Sequence, residues 1–367
     1  IPKDSKVIII VDDVTRPTPC KRIIPHILDR VEKRTKNITF VTAPGTHRPL
    51  TDEELDIKIG REFIRKYGVE NIDYKREEDF EYIGDTPTGT PLYFHKAVLK
   101  ADYKIAIGNI APHNMVGWGG GAKILQPGVS GEITTSGTHL VGVNYPMLEI
   151  VGNENCEMRK EVEEIGGHIG LDFIVNTVLN ADKLILGLFC GHYIKAHRAG
   201  VNFAKEILCP IIPELADIVI VSAYPSNIDY WQALKPLAFS MFGVKKGGSI
   251  IFLFDALEGL CNNSPAHKAM LEKYLKTNKE IIMRDLKENK IEDKVGAINP
   301  LYHFQILEHT RNIICVTNGL TDEECDLLSF TKAENIQQAL DMAFKTQGTD
   351  AKVGIIPVGA ETLVRLA

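Results

Sequence analysis

The chain has 367 residues and is 44% hydrophobic, which is enough for one large core or two of ordinary size, and two domains are expected. A formal net charge of −6, no long basic run and only two tryptophans leave no electrostatic footprint for duplex nucleic acid, so a small-molecule partner is expected instead. No apolar run approaches the length that spans a bilayer and no charged-then-apolar signal segment precedes the first strand, so a soluble cytoplasmic protein without membrane partners is expected.

Val7 to Val11 is a continuous β-branched run of the kind found in a strand covered on both faces, and it ends at Asp12-Asp13. Thr15-Arg16-Pro17-Thr18-Pro19 turns the chain, after which Ile23, Ile24, Ile27, Leu28 and Val31 recur at helical spacing. Ile38 to Thr42 is the next strand and Pro44-Gly45-Thr46-His47 its exit loop. Thr51 with Glu54 reads as the capping box of a following helix. Tyr103 to Gly108 is a third strand, followed by a histidine- and glycine-rich loop. These loops follow the carboxyl ends of strands, where open α/β sheets bind ligands.

A second set of strands is expected at Ile218 to Ser222, Ile250 to Phe254, Ile313 to Val316 and Val353 to Pro357. Helical stretches separate them, so the fold class is α/β: two α/β domains, each with a mainly parallel sheet flanked by helices. The stretch Cys209-Pro210 to Pro213-Glu214 is the expected linker. It divides the chain into an N-terminal domain, 1–209, and a C-terminal domain, 210–367, whose last strand is free to pack back on the first. The active site is expected in the interdomain cleft. The seven scattered cysteines show neither metal-ligand pairing nor a disulfide framework and read as mostly buried thiols.

Three histidines and a lysine carry the chemical signal: His47, His113, Lys123 and His139, all expected in glycine- and proline-punctuated loops. Imidazole moves protons near neutral pH or binds a borderline metal, and lysine holds an anion or forms a covalent adduct. Gly117-Trp118-Gly119-Gly120-Gly121-Ala122-Lys123 has the glycines of a phosphate loop but is not a Walker A sequence, because Ile124 follows the lysine. Taken alone, such a run is more often a tight turn than a catalytic site. Asp13 and Arg16 read as a local ion pair or, with prolines restricting the backbone, as a guanidinium pre-organised for a carboxylate.

In combination these segments are more specific. Asp12-Asp13-Val14-Thr15-Arg16-Pro17, then Gly45-Thr46-His47-Arg48-Pro49, then His113 ten residues before Lys123 and His139 sixteen after it, resemble the nickel-dependent lactate racemase family. Asn227 to Lys235 is similar to that family's Tyr-Gln-x-x-Lys segment, so the likeness covers nearly the whole chain.

The resemblance implies a racemase or epimerase of a 2-hydroxy acid. Its cofactor would be a nickel pincer, pyridinium-3,5-bisthiocarboxylic acid mononucleotide, made by dedicated cofactor-building enzymes. It implies His139 as the nickel ligand and Lys123 as the residue that joins or pairs with the cofactor, beside Asp13, Thr15, Gly120 and Gly121. His47 and His113 are implied as the acid–base pair on opposite faces of the substrate. Arg16, Gln232 and Lys235 would hold the substrate, and Asp13 would orient Arg16 or a histidine. Hydride transfer avoids a bare carbanion at a poorly acidic carbon and leaves a flat 2-keto acid.

The chain departs from the family pattern in its walls. Trp231 stands where the tyrosine before the glutamine is usual, the Ala297-Ile298-Asn299-Pro300 region lacks a tryptophan, and the lysine loop has Gly-Trp-Gly-Gly-Gly in place of Gly-Phe-Ser-Gly-Gly. A larger or more polar 2-hydroxy acid is therefore open beside lactate. The rival readings are a nicotinamide-dependent 2-hydroxy acid dehydrogenase, for which no G-x-G-x-x-G follows either leading strand, and a two-lobed carboxylate-binding protein without catalysis.

Overall fold

A computed structural model describes residues 1–261 and 264–367. The chain forms two compact units. Ile1–Ala111, Trp118–Val141 and Glu154–Ala204 make the first, and Pro112–Gly117, Gly142–Asn153 and Lys205–Ala367 make the second. The segment bearing His113 thus counts with the second unit.

The first unit is built on β1 (Val7–Asp12), whose six residues are all buried because the strand runs down the middle of a sheet with both faces covered. The chain continues through α1 (Cys20–Val31), β2 (Ile38–Ala43), α2 (Asp52–Lys58), β3 (Val69–Glu70), β4 (Tyr103–Asn109), α3 (Glu132–Val143), α4 (Glu157–Ile169), β5 (Phe173–Leu179) and β6 (Ile185–Gly191). The sheet order is β6-β5-β4-β1-β2-β3, parallel throughout except for the antiparallel β5–β6 pair. The α1 periodicity read from sequence buries Ile23, Ile24, Leu28 and Val31 against β1 and β2, with Ile27 partly covered. Each such side chain contributes on the order of 1.5–3 kcal/mol when fully buried. The parallel register pairs Asp12 with Ala43, so the loops leaving β1 and β2 emerge side by side.

The second unit contains β7 (Ala216–Ser222), α5 (Tyr230–Ser240), β8 (Val244–Leu253), α6 (Pro265–Tyr274), α7 (Lys294–His309), β9 (Asn312–Val316), β10 (Thr331–Lys332) and β11 (Val353–Ile356). Its sheet is parallel, in the order β10-β9-β8-β7-β11. The strand expected as the last, Val353–Ile356, belongs to this sheet, paired with β7. The linker stretch is tied down rather than loose, since Ile211–Ile212 pairs in parallel with Arg365–Leu366. All seven cysteines are free thiols, and only Cys190 is exposed. Among the described residues no helix is long and apolar enough to cross a membrane.

Candidate active site

Asp13 and His47 meet because β1 and β2 end level with each other. His47 Nδ1 lies 2.6 Å from Asp13 Oδ2. A carboxylate can only accept, so Nδ1 carries the proton and the neutral ring keeps its lone pair on Nε2. The other oxygen, Oδ1, accepts from Thr15 Oγ1 at 2.6 Å and from Thr15 N at 3.2 Å. Burial alone would push the Asp13 carboxyl up, but the hydrogen bond and charge of His47, with Arg16 and Thr15, outweigh it and hold the group at about 2. Asp13 therefore orients His47, one of the two roles open to it, and forms no ion pair with Arg16. The Arg16 guanidinium touches only Thr15, through Nη1 at 3.3 and 3.5 Å, so Nε and Nη2 have no partner among the described residues. That leaves a flat pair of donors suited to a carboxylate.

Lys58 holds this loop from beneath. It is buried, and its ammonium donates to Asp12 Oδ1 at 2.6 Å, to the Arg16 carbonyl at 3.0 Å and to the Thr18 carbonyl at 3.2 Å, which uses all three of its protons. Thr18 Oγ1 takes the second Asp12 oxygen. The Thr51–Glu54 capping box is present as expected, and Glu54 also receives Arg48 in a two-pronged pair with both bonds at 2.7 Å. Arg48 thus braces the loop that His47 leaves from.

The glycine run shapes a turn that presents Lys123. Gly120 and Gly121 have φ of 77° and 61°, which favours glycine. A Cβ on Gly120 would meet Asn176 Oδ1 at 2.8 Å and Ile110 Cγ1 at 2.9 Å, so only glycine fits. The Gly121 N–H donates to Asn176 Oδ1 at 2.8 Å. The fully buried Arg159 donates to the carbonyls of Trp118 and Gly120, and His197 Nε2 reaches the Gly119 carbonyl at 2.9 Å. Lys123 follows, half-buried, in the short turn Gly121–Ile124.

The loop expected around His139 is instead the helix α3. Its Ser, Thr and Gly content argues against a helix by propensity, but tertiary partners satisfy the hydroxyls. Thr134 Oγ1 donates to the Pro91 carbonyl and accepts from Tyr93 N, each at 2.7 Å, while Thr138 bonds back to the Thr134 and Thr135 carbonyls. Gly137 lets the helix approach Thr90, whose Cγ2 would lie 2.6 Å from a Cβ there. His139 Nδ1 donates to the Thr135 carbonyl at 2.7 Å, which leaves the lone pair of the neutral ring on Nε2, the state in which an imidazole ligates a metal.

In the second unit, His113 Nδ1 accepts from Met115 N at 3.2 Å. The neutral ring therefore carries its proton on Nε2, opposite to His47. Its loop is fixed by Gly117, which packs so close to Asn153 that a Cβ would fall 1.9 Å from the Asn153 carbonyl oxygen. Gln232 and Lys235 lie one turn apart on α5, which Asp229 caps by accepting from Gln232 N at 2.9 Å. The Gln232 side-chain amide has no partner among the described residues, and Lys235 Nζ stands 5.4 Å from the centre of the Phe239 ring.

Two halves of the chain match two family descriptions in order: residues 1–150 match the lactate racemase N-terminal domain and residues 212–364 the lactate racemase C-terminal domain. The chain belongs to the lactate racemase family. Lactate racemases of Thermoanaerobacterium thermosaccharolyticum and Lactiplantibacillus plantarum are each 27% identical to it, over 98% of this chain and 85% of theirs. The structure of the lactate racemase apoprotein from T. thermosaccharolyticum superimposes with a TM-score of 0.90 at 27% identity, covering 99% of this chain and 87% of that one. A crystal structure of a Thermotoga maritima protein shares the fold, with a TM-score of 0.75 at 19% identity over 100% of this chain and 94% of that one. These relatives support an enzyme of the racemase type.

Several supporting residues lie outside what the sequence motifs indicated: Lys58, Arg159, Asn176, His197 and Thr135. Lys58 had one signal, a cation on the apolar side of α2 near Leu55, which is unusual for a residue type that is seldom buried unpaired. Arg159, Asn176 and His197 pair with partners far away in the chain and leave no local pattern, while Thr135 acts through its backbone carbonyl, which any residue carries.

Proposed function

We propose that this enzyme interconverts the stereochemical forms of a 2-hydroxy acid with the help of a nickel pincer cofactor. The observation that carries the reading is the His47–Asp13 pair at 2.6 Å, an imidazole held in one tautomer by a buried carboxylate beside an arginine with two unpaired donor nitrogens. Among the described residues no group of three or more His, Cys, Asp or Glu side chains could hold a bare metal ion. A pincer ligand brings three donors of its own and needs one protein nitrogen, which fits the Nε2 lone pair of His139. Lys123 would join or pair with the cofactor, on the turn that Gly120 and Gly121 shape. When bound, the cofactor supplies a hydride acceptor.

The chain's own residues supply the rest. In the first unit Arg16 offers donors for the substrate carboxylate, and in the second Gln232 and Lys235 offer polar groups for its carboxylate and hydroxyl. His47 accepts the hydroxyl proton at Nε2 for one enantiomer, and Asp13 stabilises the imidazolium that forms. His113 serves the other enantiomer. At rest the Met115 N–H keeps its proton on Nε2, so His113 must exchange that proton for one on Nδ1 before it can act as a base.

The test uses protein produced together with the cofactor-building enzymes. Nickel per chain, intact mass and chiral chromatography of a 2-hydroxy acid panel are measured on wild type, His47→Ala and His139→Ala. His139→Ala is expected to lose nickel while keeping its thermal transition, and His47→Ala to lose about 10²–10⁴-fold in turnover with nickel retained. Nickel-loaded wild type that interconverts no 2-hydroxy acid ends this reading.

A further inference from the structure

The second unit contains a histidine–aspartate pair that the reaction above does not use. His267, on α6, places Nδ1 2.6 Å from Asp293 Oδ2, and its ring lies flat on Trp231, with centroids 4.4 Å apart and planes 17° from parallel. Several separate features hold it. Ser264 caps α6 by accepting from His267 N at 3.2 Å, and Asp293 caps α7 by accepting from Gly296 N at 2.7 Å through its other oxygen. Position 296 must be glycine for the pair to form, because a Cβ there would fall 2.3 Å from Asp293 Oδ2.

A histidine that only bridged helices would be expected to use both ring nitrogens. Here the carboxylate takes the Nδ1 proton, so the neutral ring presents a lone pair at Nε2. That atom has no hydrogen-bond partner among the described residues, in a residue that is 7% exposed. Trp231 stands four residues before Lys235, so the two share one side of α5, and Gln232 is the next residue round the helix. The stack therefore sets an aromatic face, backed by a fixed hydrogen-bond acceptor, next to the residues proposed to hold the substrate. An aromatic face accommodates the C–H side of a hydroxylated chain, and a lone pair held in place accepts from a hydroxyl.

We propose that Trp231 and His267 form a recognition wall for the side chain of the substrate, and that the preferred substrate is a 2-hydroxy acid carrying a further hydroxyl rather than lactate. This rests on the racemase reading and names its substrate class. Asp293 is a positioning residue that sets the tautomer.

The test compares lactate, 2,3-dihydroxypropanoate and malate as single enantiomers with nickel-loaded wild type, His267→Phe and His267→Gln, read by chiral chromatography. Binding of the same three acids to the cofactor-free protein is measured by calorimetry. Wild type should favour the dihydroxy acid over lactate by about tenfold or more in kcat/KM, as one well-placed hydrogen bond allows. His267→Phe, which keeps a flat ring on Trp231, should remove that preference, and His267→Gln, which restores an acceptor, should recover part of it. Equal or better turnover of lactate by wild type overturns the proposal while leaving the racemase reading intact. So does a preference for malate, which would indicate a second carboxylate, or an unchanged ratio in His267→Phe. If no acid is interconverted the racemase reading fails. Binding then decides: tighter binding of the dihydroxy acid than of lactate, lost in His267→Phe, supports the wall, and equal binding overturns it.

Discussion

His47 meets Asp13 at 2.6 Å in the first unit, and His267 meets Asp293 at the same distance in the second, yet the two pairs sit in different surroundings. The His47 side chain is 27% exposed on a loop at a strand end, beside the unpaired nitrogens of Arg16, while that of His267 is 9% exposed, pressed on Trp231 between two helix starts. Equal geometry at Nδ1 gives both rings the same tautomer and leaves the setting to decide their use. An imidazole on a partly open loop can be reached by a substrate. One packed flat against an indole between helix ends has its ring plane fixed and is suited to a fixed hydrogen bond.

The comparison breaks most decisively at the two carboxylates. Asp13→Asn keeps the shape of the first pair but removes the charge that fixes the tautomer and supports the imidazolium, so turnover should fall by roughly 10²–10⁴-fold on every substrate. Asp293→Asn should instead shift the ratio between substrates and change turnover far less. If both variants lose activity equally and without change in selectivity, the division of labour between the pairs is wrong. Steady-state rates on the nickel-loaded proteins decide this.

The first pair also predicts a stability profile. The Asp13 carboxyl is held at about 2 against an ordinary 3.8, so the folded state favours its charged form. Its contribution is fully present above the unfolded value and is lost as pH falls through about 2. From that difference it is on the order of 2 kcal/mol at neutral pH. Denaturant unfolding of wild type and Asp13→Asn should therefore differ by about that amount at pH 7, with the gap closing between pH 4 and pH 2. A gap independent of pH would mean that the variant loses packing rather than an ionic hydrogen bond.

How much of this was legible in the sequence follows the same line between local and distant partners. The central strands could be read because β-branched runs such as Val7 to Val11 announce a strand buried on both faces, and the Thr51–Glu54 cap because its partners are three residues apart. The motif residues Asp13, Arg16, His47, Lys123 and His139 were named, but only the meeting of β1 and β2 shows that Asp13 serves His47. The helix around His139 was missed because its Thr and Gly residues are poor helix formers, and Thr134 finds its partners at Pro91 and Tyr93, some forty residues away. Phe173–Leu179 and Ile185–Gly191, an antiparallel pair at one side of an otherwise parallel sheet, were also not anticipated. The buried contacts Lys58–Asp12 and His267–Asp293 span 46 and 26 positions, and nothing in the local pattern of either residue announces the other.

The smallest effect is expected at Arg48, next to His47 and still outside the chemistry. Its guanidinium grips Glu54 through two bonds of 2.7 Å, but its side chain is 62% exposed, so solvent screens the pair and its worth to folding is about 0–1 kcal/mol. Glu54 would keep its bond from Thr51 N, and the helix cap would survive without the arginine. Arg48→Ala should therefore leave nickel content unchanged, lower the thermal transition only slightly, and reduce turnover far less than Asp13→Asn does. The comparison separates two accounts of the loop. If His47 is positioned by its buried carboxylate, removing a surface brace one residue away has little to disturb. A loss in Arg48→Ala as deep as that in Asp13→Asn, with the fold intact, would show that the loop's outer brace sets the imidazole as much as Asp13 does.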